Sequence, residues 1–453
     1  MQVLLLFVVI FCDLLVPGLR MPVGLPTLHI GDFIAFACVT TLLFSGRASL
    51  KETLFAPGLR WLTIPYIAMA THILLVTLAM ALFSAVEVPL LMAGIFHCFS
   101  MYRPLLVLMM ILGFRPSARA VRALGTFIIL LLLAELALAY AQNQNWANVN
   151  GWLTIRYYSE DLTSEKRGMV MRSLRATGTF ANPNVLGTAL SFMGTMALSR
   201  LIFGPGSLIR LVAGAASALA LVVTVWLTSS RQGTVCVIAG GFTVLALAMF
   251  SRKHRMWAIV VAILVFFGLS TALAMMRSSS ALADRFEMFT YGTSVYEDRN
   301  FVARFGMWAE HVVGLGPYLI TGKGATWLIT SGEADSGFVT ALVLGGVIAL
   351  TLFVLTILGP SVAAWRYLRA CGFAHPDTWL HATACAVFVP LLLANIPNNT
   401  VGAGRQMTLL MMMYGLSFAA VRARSREAEQ ESASYEPLGS VAYPYPALAP
   451  HNW

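Results

Sequence analysis

The sequence predicts an all-α, polytopic integral membrane protein with about 12 transmembrane helices and two long loops on one face. Three observations predict it. Of 453 residues, 58% are hydrophobic and 11% charged, with a mean hydropathy of +0.77. Soluble domains carry about 25% charged residues, and so few charges cannot cover a soluble body of this size. Apolar runs such as 62–83 and 256–273 approach the roughly 20 residues that cross a bilayer. Lysine and arginine, finally, alternate between dense and sparse loops in the manner of a multi-pass chain.

Taken in order, the apolar windows lie at about 3–17, 30–45, 61–83, 88–112, 122–140, 182–203, 208–228, 233–250, 256–275, 336–360, 378–396 and 404–421. The first lacks the basic flank and small-residue cleavage site of a secretory signal, so it reads as a span. It and the second are short enough to be re-entrant or tilted. Arg103-Pro104 interrupts the fourth and predicts a kink or break. These spans form one membrane domain over 1–421. The segment 422–453, with four Glu and several Pro and Tyr after Arg426, reads as a disordered tail.

Orientation follows from the short loops. With a cytoplasmic N-terminus, sixteen bases fall on inner loops and their edges, against only Arg20, Arg231 and Arg405 on short outer ones. Both ends are then inside. The net charge of +10 reflects these basic loops facing anionic lipid, not nucleic acid. Cys12, Cys38, Cys98, Cys236, Cys371 and Cys385 form no CxxC or CxxH pair, which argues against a zinc site or a disulfide framework.

The two long outer loops, about 141–181 and 276–335, hold 20 of the 50 charges. Long loops translocate largely regardless of charge, and in compact proteins they are usually functional or disordered. Trp146, Trp152, Phe180, Phe286, Trp308 and Trp327 favour order here. The polar chemistry is expected on this outer face.

Within it, Arg172-Ser-Leu-Arg175 precedes a turn at Gly178 and then Asn182-Pro183-Asn184 at the start of a span. Asn before Pro is an N-cap arrangement. The helix would point free amides and its positive dipole end outward beside Arg175, a site for an anion at the membrane surface. The same residues also fit a capped helix with headgroup-binding arginines. Arg231, in the tight turn Thr228-Ser-Ser-Arg-Gln-Gly233, either contacts an anionic ligand or snorkels to lipid phosphate. Arg304 and Trp308 stand four apart and share a helix face, either packing a loop helix or meeting a ligand. Asp335 lies where a long loop meets a span; it is placed to act as a general base or to cap the helix that follows. A Glu333/Asp335 pair could hold a divalent metal, but one such pair is weak, and no cofactor is expected. His311 is a candidate proton carrier, but such a lone His is usually structural. Glu135 and Asp32, in or beside spans, are functional candidates by location, and neither is assigned a role.

The run Arg175-x-x-Gly178-Thr-Phe180-x-Asn182-Pro-Asn184 resembles the signature of the bacterial O-antigen ligase and Wzy-type polysaccharide polymerase superfamily. The Ser-Arg231-x-Gly turn, the Arg304-xxx-Trp308 helix and Asp335-Ser-Gly-Phe leading to Leu344-Gly-Gly fit it in order, over about residues 125–360. The resemblance implies a GT-C-like glycosyltransferase of the bacterial inner membrane whose long loops are periplasmic. It would move glycan from an undecaprenyl pyrophosphate carrier, inverting at the sugar carbon, without a metal. Arg175, Arg231 and Arg172 would hold the pyrophosphate, and Arg304 would close over it from the large loop. Gly178, Asn182, Asn184 and Trp308 would shape the site. Ligases of this kind place a His where this chain has Asp335; the departure favours a polymerase with Asp335 as base, and a ligase or oligosaccharyltransferase is the alternative. The partners implied are lipid-linked glycan donor and acceptor, membrane lipids, a chain-length regulator and a flippase. A transporter of lipid-linked sugar is the non-enzymatic alternative.

Overall fold

A computed structural model describes residues 2–16, 30–46, 50–56, 58–84, 86–151, 175–180, 182–278, 286, 299–331, 334–373, 375–397, 399 and 404–434. The described residues form α-helices joined by short turns, with no strand among them. In chain order these are α1 (Gln2–Leu15), α2 (Ile30–Phe44), α3 (Leu50–Leu54), α4 (Arg60–Phe83), α5 (Val88–Ser100), α6 (Arg103–Gly113) and α7 (Ala118–Asn143). They continue with α8 (Pro183–Phe203), α9 (Ser207–Trp226), α10 (Arg231–Met249), α11 (Arg252–Ser278), α12 (Arg299–Leu315) and α13 (Gly324–Ser331). The last four are α14 (Gly337–Cys371), α15 (Thr378–Ala386), α16 (Phe388–Asn395) and α17 (Arg405–Ser434).

Eight stretches among the described residues are long and apolar enough to cross a membrane, where twelve spans were expected. They are α4, α5 with α6, α7, α8, α9, α10, α14, and α15 with α16. α1 and α2 are apolar but only 14 and 15 residues long, in keeping with the short first windows. The window 256–275 lies within α11 and 405–421 within α17, and neither helix is among the eight. α17 runs on to Ser434, so the boundary expected at 421 is instead a continuous helix; its Arg- and Glu-rich end is helical without being apolar.

The break expected at Arg103-Pro104 is present: α5 ends at Ser100, and α6 restarts with Pro104 in its first turn. Arg103 reaches two acids there, Asp13 of α1 at 3.3 Å and Asp32 of α2. Asp32 is thus one arm of a buried ion-pair cluster. α14 contains a second break, at Gly345 and Gly346, the latter at φ +65°. The segment before α13 supplies the missing bonds: Lys323 N–H donates to Val343 O, and Val347 N–H to Leu319 O. His72 of α4 bonds Gly345 O at 3.0 Å. Non-helical backbone at such a depth survives only where protein satisfies it.

α8 is the hub. Its apolar window is 89% buried, against α9, α10 and α15. Around it α14 packs along α4 and α15, and α17 along α6 and α7. α8, α10, α14 and α17 all begin at the same end of the bundle, and their first turns are tied together there.

Candidate anion site at the helix N-termini

The segment 175–182 enters α8 through an arrangement that the sequence dictates. Asn182, with extended backbone, accepts from Asn184 N–H at 2.8 Å, and Pro183 occupies the first turn. The expected N-cap is therefore formed. Gly178 sits at φ +57°, where side chains other than glycine's are strained, and a Cβ there would collide with Glu135.

α7 clamps this turn. Gln142 Oε1 accepts from Thr177 N–H at 2.8 Å and from Gly178 N–H at 3.0 Å. Glu135, fully buried, accepts from Thr179 N–H at 3.1 Å and contacts the Thr179 hydroxyl. Glu135 thus holds the turn, and Gln142 is an anchor that nothing in its local sequence singled out.

Arg175 ties the turn to the next helix entry. Its Nε donates to Thr228 O at 2.8 Å, while Nη2 reaches Asn184 Oδ1 at 3.2 Å and Ser229 O at 3.5 Å. Asn184 accordingly holds the arginine as well as shaping the turn. Ser229 sits at φ +47°, and Ser230 caps α10 by accepting from Gly233 N–H at 3.0 Å. Arg231 follows as the first residue of α10 and is half-buried. Gly187 and Gly233 bring the two helices into close approach, so Arg175 and Arg231 stand at adjoining helix entries.

The large loop docks on the same end. Arg304 Nη1 donates to Pro397 O at 3.1 Å, and Trp308 Nε1 to Ala334 O at 2.7 Å. The two side chains share one face of α12, as their spacing predicts. Ser336, not Asp335, caps α14: its hydroxyl accepts from Val339 N–H at 3.5 Å and donates to Asn395 O at 3.1 Å. The capping alternative for Asp335 is therefore corrected, because the residue one step nearer the helix fills that role. Asp335 itself is exposed, at φ +47°. Gln232 Nε2 bonds Thr188 Oγ1 at 3.1 Å and Ala394 O at 3.0 Å, so residues 394–397 join α10, α12 and α14.

Arg405 completes the end and was missed as a site residue because its sequence neighbours carry no motif. It is 9% exposed, opens α17, and donates to Thr179 O at 2.8 Å and Val16 O at 2.6 Å. Four helix N-termini, each carrying about half a positive charge, thus meet Arg175, Arg231, Arg304 and Arg405, with Asp335 as the exposed acid. The C-terminal ends of α7 and α16 lie at the same end and offset part of this field.

Arg172 and Glu333 lie outside the described residues. Among the described residues, no three His, Cys, Asp or Glu side chains come together. His311 is buried in α12 edge-to-face with Trp327, centroids 5.5 Å apart. Burial pushes its pKa down, partly opposed by Glu310, which suits a packed neutral ring. No family model matches the chain, and no curated protein matches it.

Proposed function

We propose that this protein is a membrane glycosyltransferase of the Wzy polymerase type, joining undecaprenyl-pyrophosphate-linked oligosaccharides at the outer face of a bacterial inner membrane. The observation that carries the reading is the gathering of Arg175, Arg231 and Arg304 with an exposed Asp335 at one end of the bundle, where four helices begin.

In this mechanism the Asp335 carboxylate takes the proton from an acceptor sugar hydroxyl. The freed oxygen attacks the anomeric carbon of the lipid-linked chain from the face opposite the leaving group. The carbon–oxygen bond to pyrophosphate breaks, its electron pair stays on the pyrophosphate, and the configuration inverts. Arginine forks suit that leaving charge because they pair with phosphate oxygens in two directions at once. Interactions aimed at charge that develops in the transition state are the ones that accelerate the step. Arg175 and Arg231 hold the pyrophosphate and Arg304 closes from α12. No metal is assigned a step.

Two features favour a second reading, transport of the lipid-linked sugar: the broken α14 and the buried Asp13–Arg103–Asp32 cluster, since transporters build sites from such elements. Reconstitution with a lipid-linked repeat unit separates the readings. A product ladder on the carrier supports the polymerase, and a single shift on another acceptor points to a ligase. Translocation without a new glycosidic bond would sink both enzymatic readings.

A further inference from the structure

At the opposite end of the bundle a second group of arginines gathers around one carboxylate. Asp377 is fully buried in the turn before α15. Its Oδ1 accepts from Arg122 Nη1 of α7 and its Oδ2 from Arg424 Nε of α17, both at 2.9 Å. Arg424 Nη1 also donates to the Tyr367 hydroxyl at 3.0 Å. Arg200, in the last turn of α8, lies over the Trp379 ring at 4.8 Å and is 4% exposed. Arg122, Asp377 and Arg210 all act on it electrostatically.

The hydrogen bonds do not close. Among the described residues, Nε and Nη1 of Arg200 and Nη2 of Arg424 are buried without an acceptor. Arg122, Arg200 and Arg424 gather at Asp377, with Arg210 also acting on Arg200 and Glu427 acting on His375 at the rim. His375 adds no positive charge, because burial and the nearby Arg424 push its pKa down. A buried charge is costly unless it is paired and hydrogen-bonded; Arg122 and Arg424 share Asp377, while the buried Arg200 has no salt bridge among the described residues.

We propose that this cluster binds a phosphate group, presented by the headgroup of an acidic phospholipid. The two buried Arg200 donors without an acceptor match two oxygens of a phosphate, and Arg424 adds a third such donor within the cluster. The side chains of Arg122 and His375, 27% and 43% exposed, mark the open edge of the cluster. From Asn182 to Arg200 the rise of α8 is about 27 Å, so this site is separate from the one at the helix N-termini. Charge-based topology puts it at the cytoplasmic leaflet, where basic pockets between helices meet acidic headgroups. The proposal does not depend on which reaction the other end performs.

The test is thermal unfolding of the full chain in detergent with added phosphatidylglycerol, phosphatidylcholine or inorganic phosphate. A ligand that binds only the folded form raises Tm with its concentration. Phosphatidylglycerol is expected to raise Tm by several degrees and phosphatidylcholine not to. Arg200→Met, which keeps the packing on Trp379, should abolish most of that rise. Arg122→Gln, at the more exposed edge, should shift the phosphatidylglycerol midpoint to about tenfold higher concentration, and it serves if the first variant does not fold. A rise with inorganic phosphate but not with the lipid would overturn the lipid source. An unchanged lipid response in both variants, or an equal response to phosphatidylcholine, would overturn the site.

Discussion

Gly187 of α8 and Gly233 of α10 meet so closely that a Cβ on Gly233 would stand 2.7 Å from Gly187 Cα. The contact is backbone against backbone, so neither helix can yield by rotating a side chain. A Cβ on Gly187 would instead meet Ser230 Cβ at 3.0 Å. Gly233→Ala is therefore expected to cost about 1–3 kcal/mol, as overpacking does, and Gly187→Ala less. Thermal unfolding of both variants checks the order. Chain extension should fall with the same ranking, because the contact sets Arg231 beside Arg175.

Arg175 is anchored by Nε and Nη2 on Thr228 O, Asn184 Oδ1 and Ser229 O, which fixes its guanidinium at the helix entries. A lysine keeps the charge and loses the fork. Arg175→Lys is expected to lower the rate of chain extension about 100-fold, an effect of the size seen when one transition-state donor is removed. Rates measured on folded, reconstituted protein decide it, and near-normal rates would remove Arg175 from the proposed pyrophosphate site.

Asp335 holds a left-handed backbone that favours glycine and tolerates asparagine. Asp335→Gly should match or exceed the wild-type Tm while losing activity, and Asp335→Asn should fold normally and be equally inactive. Full activity in either variant would end the general-base assignment. Since Ser336 carries the cap, Ser336→Ala should cost about 1 kcal/mol and leave the reaction running.

Gln142→Ala leaves the Thr177 and Gly178 amides buried without an acceptor. Each buried unsatisfied group costs about 1–3 kcal/mol, so a large fall in Tm is expected. Gln142→Glu keeps an acceptor and should lose less.

His311 has a folded pKa below its unfolded value of about 6.5. The unfolded chain then binds the extra proton, so the contribution is whole at higher pH and is lost as pH falls through the unfolded pKa. His311→Phe should flatten the decline of Tm between pH 7 and 5. It should leave the pH profile of chain extension unmoved, since the ring packs on Trp327.

Features governed by local chemistry were legible in the sequence. The Asn182 cap, the break before Pro104 and the common face of Arg304 and Trp308 each depend on residues within a turn of one another. The Asp335 cap was misjudged because a Ser one position later also caps, and only backbone geometry chooses between them. Gln142, Arg405 and the Asp13–Arg103–Asp32 cluster were illegible for a different reason. Their partners lie 35 or more residues away, and one sequence does not state which helices adjoin.

Arg405 also bears on how the molecule is made. Its guanidinium bridges Val16, 389 residues earlier, and Thr179. A ribosome delivers α1 long before α17, so for most of synthesis the 177–180 turn lacks this tie. This end of the bundle is therefore complete only once α17 packs against it. Nascent or truncated chains ending before 405 hold Arg175, Arg231 and Arg304 without the Arg405 tie to the 177–180 turn.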